Sequence, residues 1–299
     1  MRLLVTGATG QVGFELARGL MPLGEVVAVD RGRCDLSHPH AIPALIDTAR
    51  PDVIVNAAAY TAVDRAEQEE TLATTVNGTA VGVLAEEARK RGALLIHYST
   101  DYVFDGAKPG PYAERDIASP LNAYGRSKLC GERAIQQAVC DHLILRTSWV
   151  YAARGQNFLK TVLRLSAERQ ELRIVADQIG APTPARLVAD ATALILGKLS
   201  TREAWRSASG TYHLTTGGET SWHGFATAIV AAAREVPRGP SMSVKRILPI
   251  ATSDYPLPAR RPLNSRLDCT KLAQTFGLHL PDWRTALTST LDGIFEYGS

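Results

Sequence analysis

The chain has 299 residues, of which 45% are hydrophobic and 6% aromatic, and this composition is typical of a soluble α/β enzyme with one large domain or two unequal ones. The 33 basic and 30 acidic side chains leave a net charge of +3, so neither nucleic acid nor an anionic membrane is predicted as a partner. The four cysteines lie far apart and fit no metal-ligand spacing, which predicts reduced thiols and a cytoplasmic location.

The chain begins with a short apolar run, Leu3 to Val5, which Thr6 and Gly7 interrupt. A signal peptide needs a longer apolar segment, and a membrane-spanning helix needs about 18 apolar residues in a row. The run therefore predicts a buried first strand, and we expect a protein that is neither secreted nor inserted into a membrane.

The first half of the chain alternates short apolar runs with segments of helical periodicity, which predicts a parallel sheet covered by helices on both faces. Strands are predicted at residues 2–6, 25–30, 52–56, 94–99 and 142–147. Helices are predicted at residues 12–20, 40–50, 67–91 and 123–139. The expected fold is therefore α/β, with a doubly wound (Rossmann) parallel sheet.

Three glycines, Gly7, Gly10 and Gly13, follow the first strand directly and lead into the first helix. A dinucleotide pyrophosphate must approach bare backbone at such a turn, and a side chain would block it. Gln11 and Val12 open the helix that would receive the phosphates. A simple tight turn is the alternative interpretation of the glycines, but their position between strand and helix favours the dinucleotide site.

Asp30 closes the second predicted strand, where a carboxylate can accept hydrogen bonds from the adenosine ribose and so favours NAD(H). Arg31 and Arg33 follow it, and a guanidinium there can instead bind the extra phosphate of NADP(H) or lie in a solvated turn. Either cofactor is therefore predicted. Further cofactor contacts are expected near the carboxyl ends of the neighbouring strands, from Asp35, Leu36, Ala59, Tyr60 and Thr61. Asn77, inside the long predicted helix, is either a packing amide or a buried bridge.

Tyr124 and Lys128 are four residues apart in a predicted helix, so the phenol and the ammonium lie on one face about one turn apart. This spacing also occurs by chance in surface helices with a buried tyrosine ring. Here it is accompanied by Thr100 and Asp101 at the end of a predicted strand, which makes a reactive site the favoured interpretation.

After Trp149 the regular alternation fades, and helices are predicted at residues 157–169 and 185–199. A strand at 211–215 is apolar enough to rejoin the main sheet, and Thr220 or Ser221 is predicted to cap a helix that continues to Ala233. Residues 237–240 are a predicted connector, and residues 256–262 a proline-stiffened loop. We therefore expect a dinucleotide-binding domain at 1–150, with a return segment near 184–217, and a smaller C-terminal α/β substrate lobe at 151–299.

The glycine turn, the βα alternation, the Tyr124 and Lys128 pair and the segment 99–101 together resemble the extended short-chain dehydrogenase/reductase superfamily. The resemblance implies that Tyr124 is the proton donor and that Thr100 hydrogen-bonds the substrate carbonyl. It implies that Lys128 stabilises the phenolate, since a free tyrosine has a pKa near 10, and that Lys128 also binds the nicotinamide ribose. Hydride transfer from NADPH or NADH needs no metal in that step.

Five longer sequence segments resemble one family within this superfamily, the dTDP-4-dehydrorhamnose reductases. They are HYSTDYVF at 97–104, PLNAYG at 120–125, RTSWVY at 146–151, DQIGAPT at 177–183 and PARRPLNSRL at 258–267. The resemblance implies NAD(P)H-dependent reduction of the 4-keto group of dTDP-4-dehydro-L-rhamnose to dTDP-L-rhamnose, a precursor of cell-surface polysaccharide such as lipopolysaccharide. Related dehydratases carry a glutamate after the Thr-Asp pair, whereas this chain has Tyr102, so the acid for water elimination is lacking.

The substrate contacts are predicted from the same strings. Arg260 and Arg261 on the proline-stiffened loop could bind the diphosphate or be a solvated basic loop. Trp149 could pack on the sugar or nucleobase or be a core aromatic between the two lobes. Asp101 and Tyr102 could contact sugar hydroxyls or simply end the strand.

Two rival functions stay open: an epimerase that retains NAD and returns the hydride, and a non-catalytic NADP-binding regulatory subunit similar to the beta subunit of methionine adenosyltransferase. The resemblance also suggests a homodimer with a Mg²⁺ ion held by acidic groups, for which Glu15 and Asp292 are the candidates. Arg186 stands where a relative would offer an acid, so no metal ligand is predicted residue by residue, and solvated carboxylates are the alternative.

Overall fold

The computed structural model describes residues 1–236 and 241–297, so the predicted connector at 237–240 lies outside the described residues. The strands in the described part are β1 (Arg2–Thr6), β2 (Glu25–Val29), β3 (Val53–Asn56), β4 (Leu94–Thr100), β5 (His142–Thr147), β6 (Val150–Tyr151), β7 (Glu171–Val175), β8 (Ile179–Gly180), β9 (Thr183–Pro184), β10 (Gly210–His213), β11 (Thr220–Ser221) and β12 (Arg246–Ile250).

The helices in the same part of the chain are α1 (Gln11–Gly19), α2 (Ile42–Ala49), α3 (Val63–Ala66), α4 (Glu70–Thr74), α5 (Ala80–Arg91), α6 (Ala123–Ala138), α7 (Phe158–Glu168), α8 (Ala185–Lys198), α9 (Arg202–Ala208), α10 (Trp222–Glu235), α11 (Thr270–Phe276) and α12 (Trp283–Tyr297). Short 3-10 helices lie at Met21–Leu23, Pro39–Ala41, Asp101–Val103 and Thr252–Asp254, and a π-helix lies at Thr75–Thr79. None of the helices described is both long and apolar enough to cross a membrane.

The main sheet has six parallel strands in the order β10-β5-β4-β3-β1-β2. The strand order reverses at β1, because β2 pairs with one edge of β1 and β3 pairs with the other. In a doubly wound sheet, ligands bind outside the carboxyl ends of the strands at such a reversal. The predicted fold class is confirmed, and so is the return of the late strand, since β10 pairs in parallel with β5.

The inner strands are apolar throughout because helices cover both faces of the sheet. Leu3 and Val5 point into the core that α1 and α8 cover. Leu4, between them, points into the opposite core, which α2 and α5 cover. This alternation fixes the register of β1, since a slip by one residue would exchange the two faces.

A third hydrophobic core is formed by residues beyond position 150. Helices α7, α10 and α12 contribute Leu159, Phe225 and Trp283 to it, and β12 pairs in parallel with β7 beside it. Ser221 is the N-cap of α10, and its hydroxyl accepts a hydrogen bond from the backbone N–H of Gly224 at 2.9 Å. The exact limits of the two predicted domains stay a prediction.

The predicted helix at 67–91 is present from Glu70 to Arg91, but it starts three residues later than predicted and contains a π-helical turn. The segment contains α4, a π-helical turn and α5, and α3 precedes them. Residues 74–79 (TTVNGT) include β-branched residues, an asparagine and a glycine, which are weak helix formers. The wider turn lets the side chain of Asn77 bond the backbone of Tyr60 in both directions, at 2.8 and 2.9 Å. Asn77 is therefore a buried bridge, and its π-turn shapes the rim of the site.

Candidate active site

A cavity of about 970 Å³ opens at the carboxyl ends of β1, β3, β4 and β5, where the reversal of strand order predicts a ligand site. Most residues predicted for cofactor, catalysis and substrate line this one cavity. They are Gly7, Gly10, Gln11, Val12, Arg31, Asp35, Leu36, Ala59, Tyr60, Thr61, Thr100, Asp101, Tyr102, Tyr124, Lys128 and Trp149. Gly13, Asp30, Arg260 and Arg261 are not among the residues that line it.

The glycine turn forms the floor of the cavity and leaves room for a phosphate. Gly7 has φ +72°, and a Cβ atom added to it would lie 2.7 Å from the backbone nitrogen of Ala58. Gly10 is the N-cap of α1 and has no side chain to bond the first N–H groups of that helix. These free N–H groups at a helix N-terminus suit the pyrophosphate of a dinucleotide. Gly13 acts differently, because its missing Cβ lets α1 pack on Gly7, whose oxygen would lie 2.0 Å away.

The far end of the cavity is lined by the segment that follows β2. Arg31 is largely exposed, and its Nε donates to Oδ2 of Asp35 at 3.2 Å. Hydrogen bonds from the backbone and hydroxyl of Ser37, together with Arg31, lower the pKa of Asp35 to about 2. Asp30 faces solvent and accepts from the backbone N–H of Arg33. Of the two carboxylates, Asp35 lines the cavity and Asp30 does not.

Thr100 and Tyr124 come together at the end of β4. Tyr124 lies in the first turn of α6, which Asn122 caps by accepting from the backbone N–H of Gly125 at 2.8 Å. The hydroxyl of Thr100 lies close enough to the Tyr124 phenol to influence its pKa and is 3.1 Å from Oδ1 of Asp101. Burial, with a contribution from Asp101, raises the pKa of Tyr124 to about 12, and the Thr100 hydroxyl opposes the rise. The phenol is therefore fully protonated at neutral pH.

Lys128, one turn further along α6, is only 2% exposed. Its Nζ lies 2.7 Å from the carbonyl oxygen of Tyr98 and 3.1 Å from Nε2 of His97. Burial lowers the pKa of Lys128 to about 8, and the charge of Glu132 opposes this. Glu132 forms a buried ion pair with Arg146, with oxygen to nitrogen distances of 2.6 and 2.9 Å.

Asp101 is the buried acid of the site, with 2% of its surface exposed. Burial raises its pKa to about 6, although hydrogen bonds from Ser265 and Thr100 act in the opposite direction. One of its oxygens, Oδ2, has no hydrogen-bond partner within residues 1–236 and 241–297. Tyr102 beside it packs edge-on against Tyr124 with ring centroids 5.6 Å apart.

Trp149 lines the cavity in an unusual backbone conformation, with φ +48°. Its ring stacks on Trp222 from α10 with centroids 3.6 Å apart and planes within 10°. Gly180 makes room for this stack, since a Cβ there would lie 2.7 Å from Cε2 of Trp149. The ring therefore joins the two lobes and also lines the cavity, and its packing on the sugar or nucleobase stays a prediction.

The structure does not bring Arg260 or Arg261 into the lining of the cavity. Arg261 is engaged by Asp64 of α3, at 2.8 and 3.0 Å, and lies close enough to Tyr102 to influence its pKa. Arg260 is exposed, and its backbone oxygen accepts from Asn122. The paired arginines thus fix the proline-rich loop beside α3 and α6, and a role in binding the diphosphate stays a prediction.

Several lining residues were missed by the sequence analysis. Ser99 and Thr147, at the ends of β4 and β5, each have a buried hydroxyl oxygen without a hydrogen-bond partner in the part of the chain that the structure describes. Buried polar atoms of this kind are normally satisfied, so a ligand is the natural partner. Their position at the ends of predicted parallel strands could have identified them as residues of the site. The cavity is also lined by Trp222, Arg65 and Glu69. No local sequence pattern predicts this, because these residues reach the cavity only when the whole chain has folded.

The magnesium site suggested by the resemblance does not fit the residues present. Glu15 lies 3.9 Å from the guanidinium of Arg186, which in turn pairs with Asp190 at 2.9 Å. Within residues 1–236 and 241–297, no three His, Cys, Asp or Glu side chains are grouped so as to hold a metal ion. A positive guanidinium beside Glu15 disfavours a cation there.

Residues 1–295 match a family model described as the RmlD substrate binding domain. The chain is 56% identical to dTDP-4-dehydrorhamnose reductase of Burkholderia thailandensis over 96% of this chain and 97% of that one. It is 47% identical to the enzyme of the same name from Salmonella typhimurium, over 99% and 98% of the two chains.

Solved structures agree with these relatives. The dTDP-4-dehydrorhamnose reductase of Clostridium acetobutylicum superposes with a TM-score of 0.89 at 34% identity, over 98% of this chain and 99% of that one. The enzyme of the same name from Bacillus anthracis, in complex with NADP, has a TM-score of 0.87 at 34% identity, over 100% and 99%. A UDP-glucose 4-epimerase from Thermus thermophilus, at 22% identity, shares the fold. The chain belongs to the dTDP-4-dehydrorhamnose reductase family.

Proposed function

We propose that the protein reduces the 4-keto group of dTDP-4-dehydro-L-rhamnose to give dTDP-L-rhamnose, with Tyr124 as the proton donor. The observation that carries this proposal is the meeting of Thr100, Tyr124 and Lys128 in one cavity with the glycine turn. A hydroxyl, a phenol and an amine around a ketone are the groups that carbonyl reduction requires. Relatives named dTDP-4-dehydrorhamnose reductase are 44–56% identical to this chain over nearly its whole length.

The cofactor site fits a nicotinamide dinucleotide. The glycine turn and the N-terminus of α1 would hold the pyrophosphate, and Asp35 and Arg31 would face the adenosine ribose. When bound, the reduced nicotinamide supplies the hydride. We propose that both NADPH and NADH are accepted, since Asp35 can bind ribose hydroxyls and Arg31 can bind the extra phosphate of NADPH.

Proton transfer is assigned to Tyr124 because its raised pKa keeps the phenol protonated at neutral pH. The Thr100 hydroxyl, which donates to Asp101 in the structure, would turn to the substrate carbonyl when the ketone binds. The carbonyl oxygen would then accept hydrogen bonds from both groups, and negative charge would develop on it as the hydride arrives. Tyr124 would give up its proton at this point, so the charge is neutralised as it forms.

The sugar would lie between the catalytic residues and the second lobe. Asp101 and the orphan hydroxyls of Ser99 and Thr147 offer hydrogen bonds, and Trp149 offers an aromatic wall. Tyr102 stands where the dehydratases have a glutamate, so elimination of water lacks its acid. The cytoplasmic location, the homodimer and the supply of a cell-surface polysaccharide precursor stay predictions.

A coupled assay tests the proposal. Purified protein is mixed with NADPH or NADH and with the 4-keto sugar nucleotide made from dTDP-glucose by a dehydratase and an epimerase. We expect cofactor oxidation only when this sugar is present, and dTDP-L-rhamnose as the product. An epimerase would instead retain its cofactor on purification and cause no net oxidation. A regulatory subunit would bind NADP(H) without turnover, and either result would contradict the proposal.

A further inference from the structure

A chain of buried hydrogen bonds runs beneath the cavity from the first strand to the active-site lysine. It begins at Thr6 of β1, passes through Asn56 of β3 and His97 of β4, and ends at Lys128 of α6. The successive distances between the side-chain atoms are 2.6, 3.0 and 3.1 Å. All four side chains are at most 2% exposed, so each donor and acceptor must find its partner within the protein.

The orientation of the Asn56 amide is fixed by its neighbours. Its oxygen accepts from the hydroxyl of Thr6 and from the backbone N–H of Ala58, at 2.6 and 3.3 Å. Its nitrogen therefore faces Nδ1 of His97. Rotating the amide by half a turn would set its N–H groups against the N–H of Ala58, so the observed orientation is the favoured one.

This orientation determines where the proton of His97 lies. An amide nitrogen can only donate, so Nδ1 of His97 must accept. Burial lowers the pKa of His97 well below its usual value, and the ring is neutral. A neutral imidazole has one N–H, which must then be on Nε2, and Nε2 faces Nζ of Lys128.

An N–H group facing Lys128 has consequences for the charge of this lysine. An ammonium group has only donors, so it would place a hydrogen against the Nε2–H of His97. An uncharged amine has a lone pair that accepts this hydrogen, and it can still donate to the carbonyl oxygen of Tyr98 at 2.7 Å. Every group in the chain is therefore satisfied when Lys128 is uncharged.

The surrounding charges allow this state. The titratable groups around Lys128 are His97 and Tyr98 on the strand, and Tyr124 and Glu132 one turn before and after it on α6. Glu132 already accepts hydrogen bonds from Nε and Nη2 of Arg146. Among the residues that the structure describes, no carboxylate hydrogen-bonds Nζ of Lys128, which has only the imidazole and a carbonyl as partners.

We propose that His97 is a positioning residue whose Nε2–H binds the lone pair of Lys128 and favours the uncharged form of this side chain while the cavity is empty. An uncharged amine avoids the cost of burying a lone cation in the empty site. The anionic pyrophosphate and the ribose hydroxyls of the cofactor favour the ammonium form, so cofactor binding takes up a proton. The ammonium is then present when Tyr124 loses its proton. This last step rests on the proposed function.

The protonation of Lys128 can be measured without any sugar, by NMR titration of lysine labelled with ¹³C at Cε. The signal of Lys128 is assigned by its loss in a Lys128→Met variant. We expect wild-type Lys128 to titrate near pH 8 without cofactor and at higher pH with saturating NADH. NADH is the probe because the extra phosphate of NADPH titrates close to this range.

The variant His97→Gln tests the role of the ring. Its amide can turn an oxygen towards Nζ and accept from the ammonium, so we expect the midpoint of Lys128 to rise by about one pH unit. The matched control is Thr192→Val, which removes the hydrogen bond that the Tyr98 hydroxyl donates to Thr192 on the opposite face of β4. The control should leave the midpoint of Lys128 unchanged.

A second measurement needs no variant. The ¹⁵N shifts of His97 in the wild-type protein report which ring nitrogen carries the proton, and we expect Nε2. A proton on Nδ1, or a midpoint of Lys128 that falls or stays constant in His97→Gln, would overturn the proposal. Failure of the wild-type protein in the coupled assay, with these NMR results intact, would instead refute the proposed function alone.

Discussion

The cofactor side and the catalytic side of the cavity are built in different ways. The part of the cofactor side that would receive the pyrophosphate consists of backbone around the glycine turn, where Gly7 and Gly13 leave no room for a Cβ. The catalytic side consists of side chains from β4 and α6 whose pKa values burial has shifted: upward for Tyr124 and Asp101, and downward for Lys128. We therefore expect substitutions on the first side to act through steric exclusion, and those on the second through protonation.

Removing the phenolic hydroxyl of Tyr124 should have the largest effect on turnover and almost none on cofactor binding. We expect Tyr124→Phe to lower kcat by about 10²- to 10⁴-fold, as for loss of a general acid. The Kd for NADPH should stay within about threefold of wild type, because the glycine turn is untouched. Steady-state kinetics and fluorescence titration measure the two effects. Turnover near that of the wild type would show that another group donates the proton.

A methyl group on the glycine turn should weaken cofactor binding, which the loss of the Tyr124 hydroxyl should leave nearly unchanged. A Cβ at Gly7 would lie 2.7 Å from the nitrogen of Ala58, and the φ of +72° disfavours any side chain. We expect Gly7→Ala to weaken cofactor binding by about 100-fold and to lower the free energy of unfolding by about 1–3 kcal/mol. Calorimetry and denaturant titration measure both effects.

The control for this substitution is Gly110→Ala, since nothing lies within 4 Å of a Cβ at that position. It should leave the Kd of the cofactor unchanged. An equal loss of affinity in both variants would show that the glycine turn has no special role.

The buried carboxyl group of Asp101 should make the free energy of unfolding depend on pH. Burial raises its pKa from 3.8 to about 6, so between these values the folded protein binds more protons than the unfolded chain. The free energy of unfolding then falls as the pH rises through this window, by about 2–3 kcal/mol in all. We expect Asp101→Asn to be more stable than wild type at pH 8 by about this amount, and nearly equal to it at pH 4.

Denaturant unfolding at the two pH values measures the difference. Glu168→Gln is the control, because this exposed residue pairs with Arg164 on the surface of α7 and should change stability by less than about 1 kcal/mol at either pH. A destabilised Asp101→Asn at pH 8 would mean that the carboxylate is well accommodated in the folded protein. Turnover is expected to fall in the same variant if Asp101 contacts the sugar.

The two sides also differ in how far the sequence predicts them. The glycine turn and the Tyr124 and Lys128 pair depend on local spacing, within one turn or one helix, so their positions follow from the pattern. The Asp64 and Arg261 ion pair joins residues 197 positions apart, and Trp222 reaches Trp149 from another lobe. His97 looks like an ordinary strand residue until β3 and α6 are packed around it. The π-turn at Asn77 escaped prediction because it serves a contact with Tyr60.

The smallest effect is expected at the exposed rim of the cofactor side. The side chain of Arg31 is 79% exposed, so a bond to the extra phosphate of NADPH is worth only about 1 kcal/mol after screening by solvent. We expect Arg31→Ala to raise the KM for NADPH by about three- to tenfold and to leave the KM for NADH nearly constant. Arg33→Ala is the matched control, since Arg33 does not line the cavity. An equal rise for both cofactors would place the effect on Asp35, which loses its partner in this variant, rather than on the phosphate.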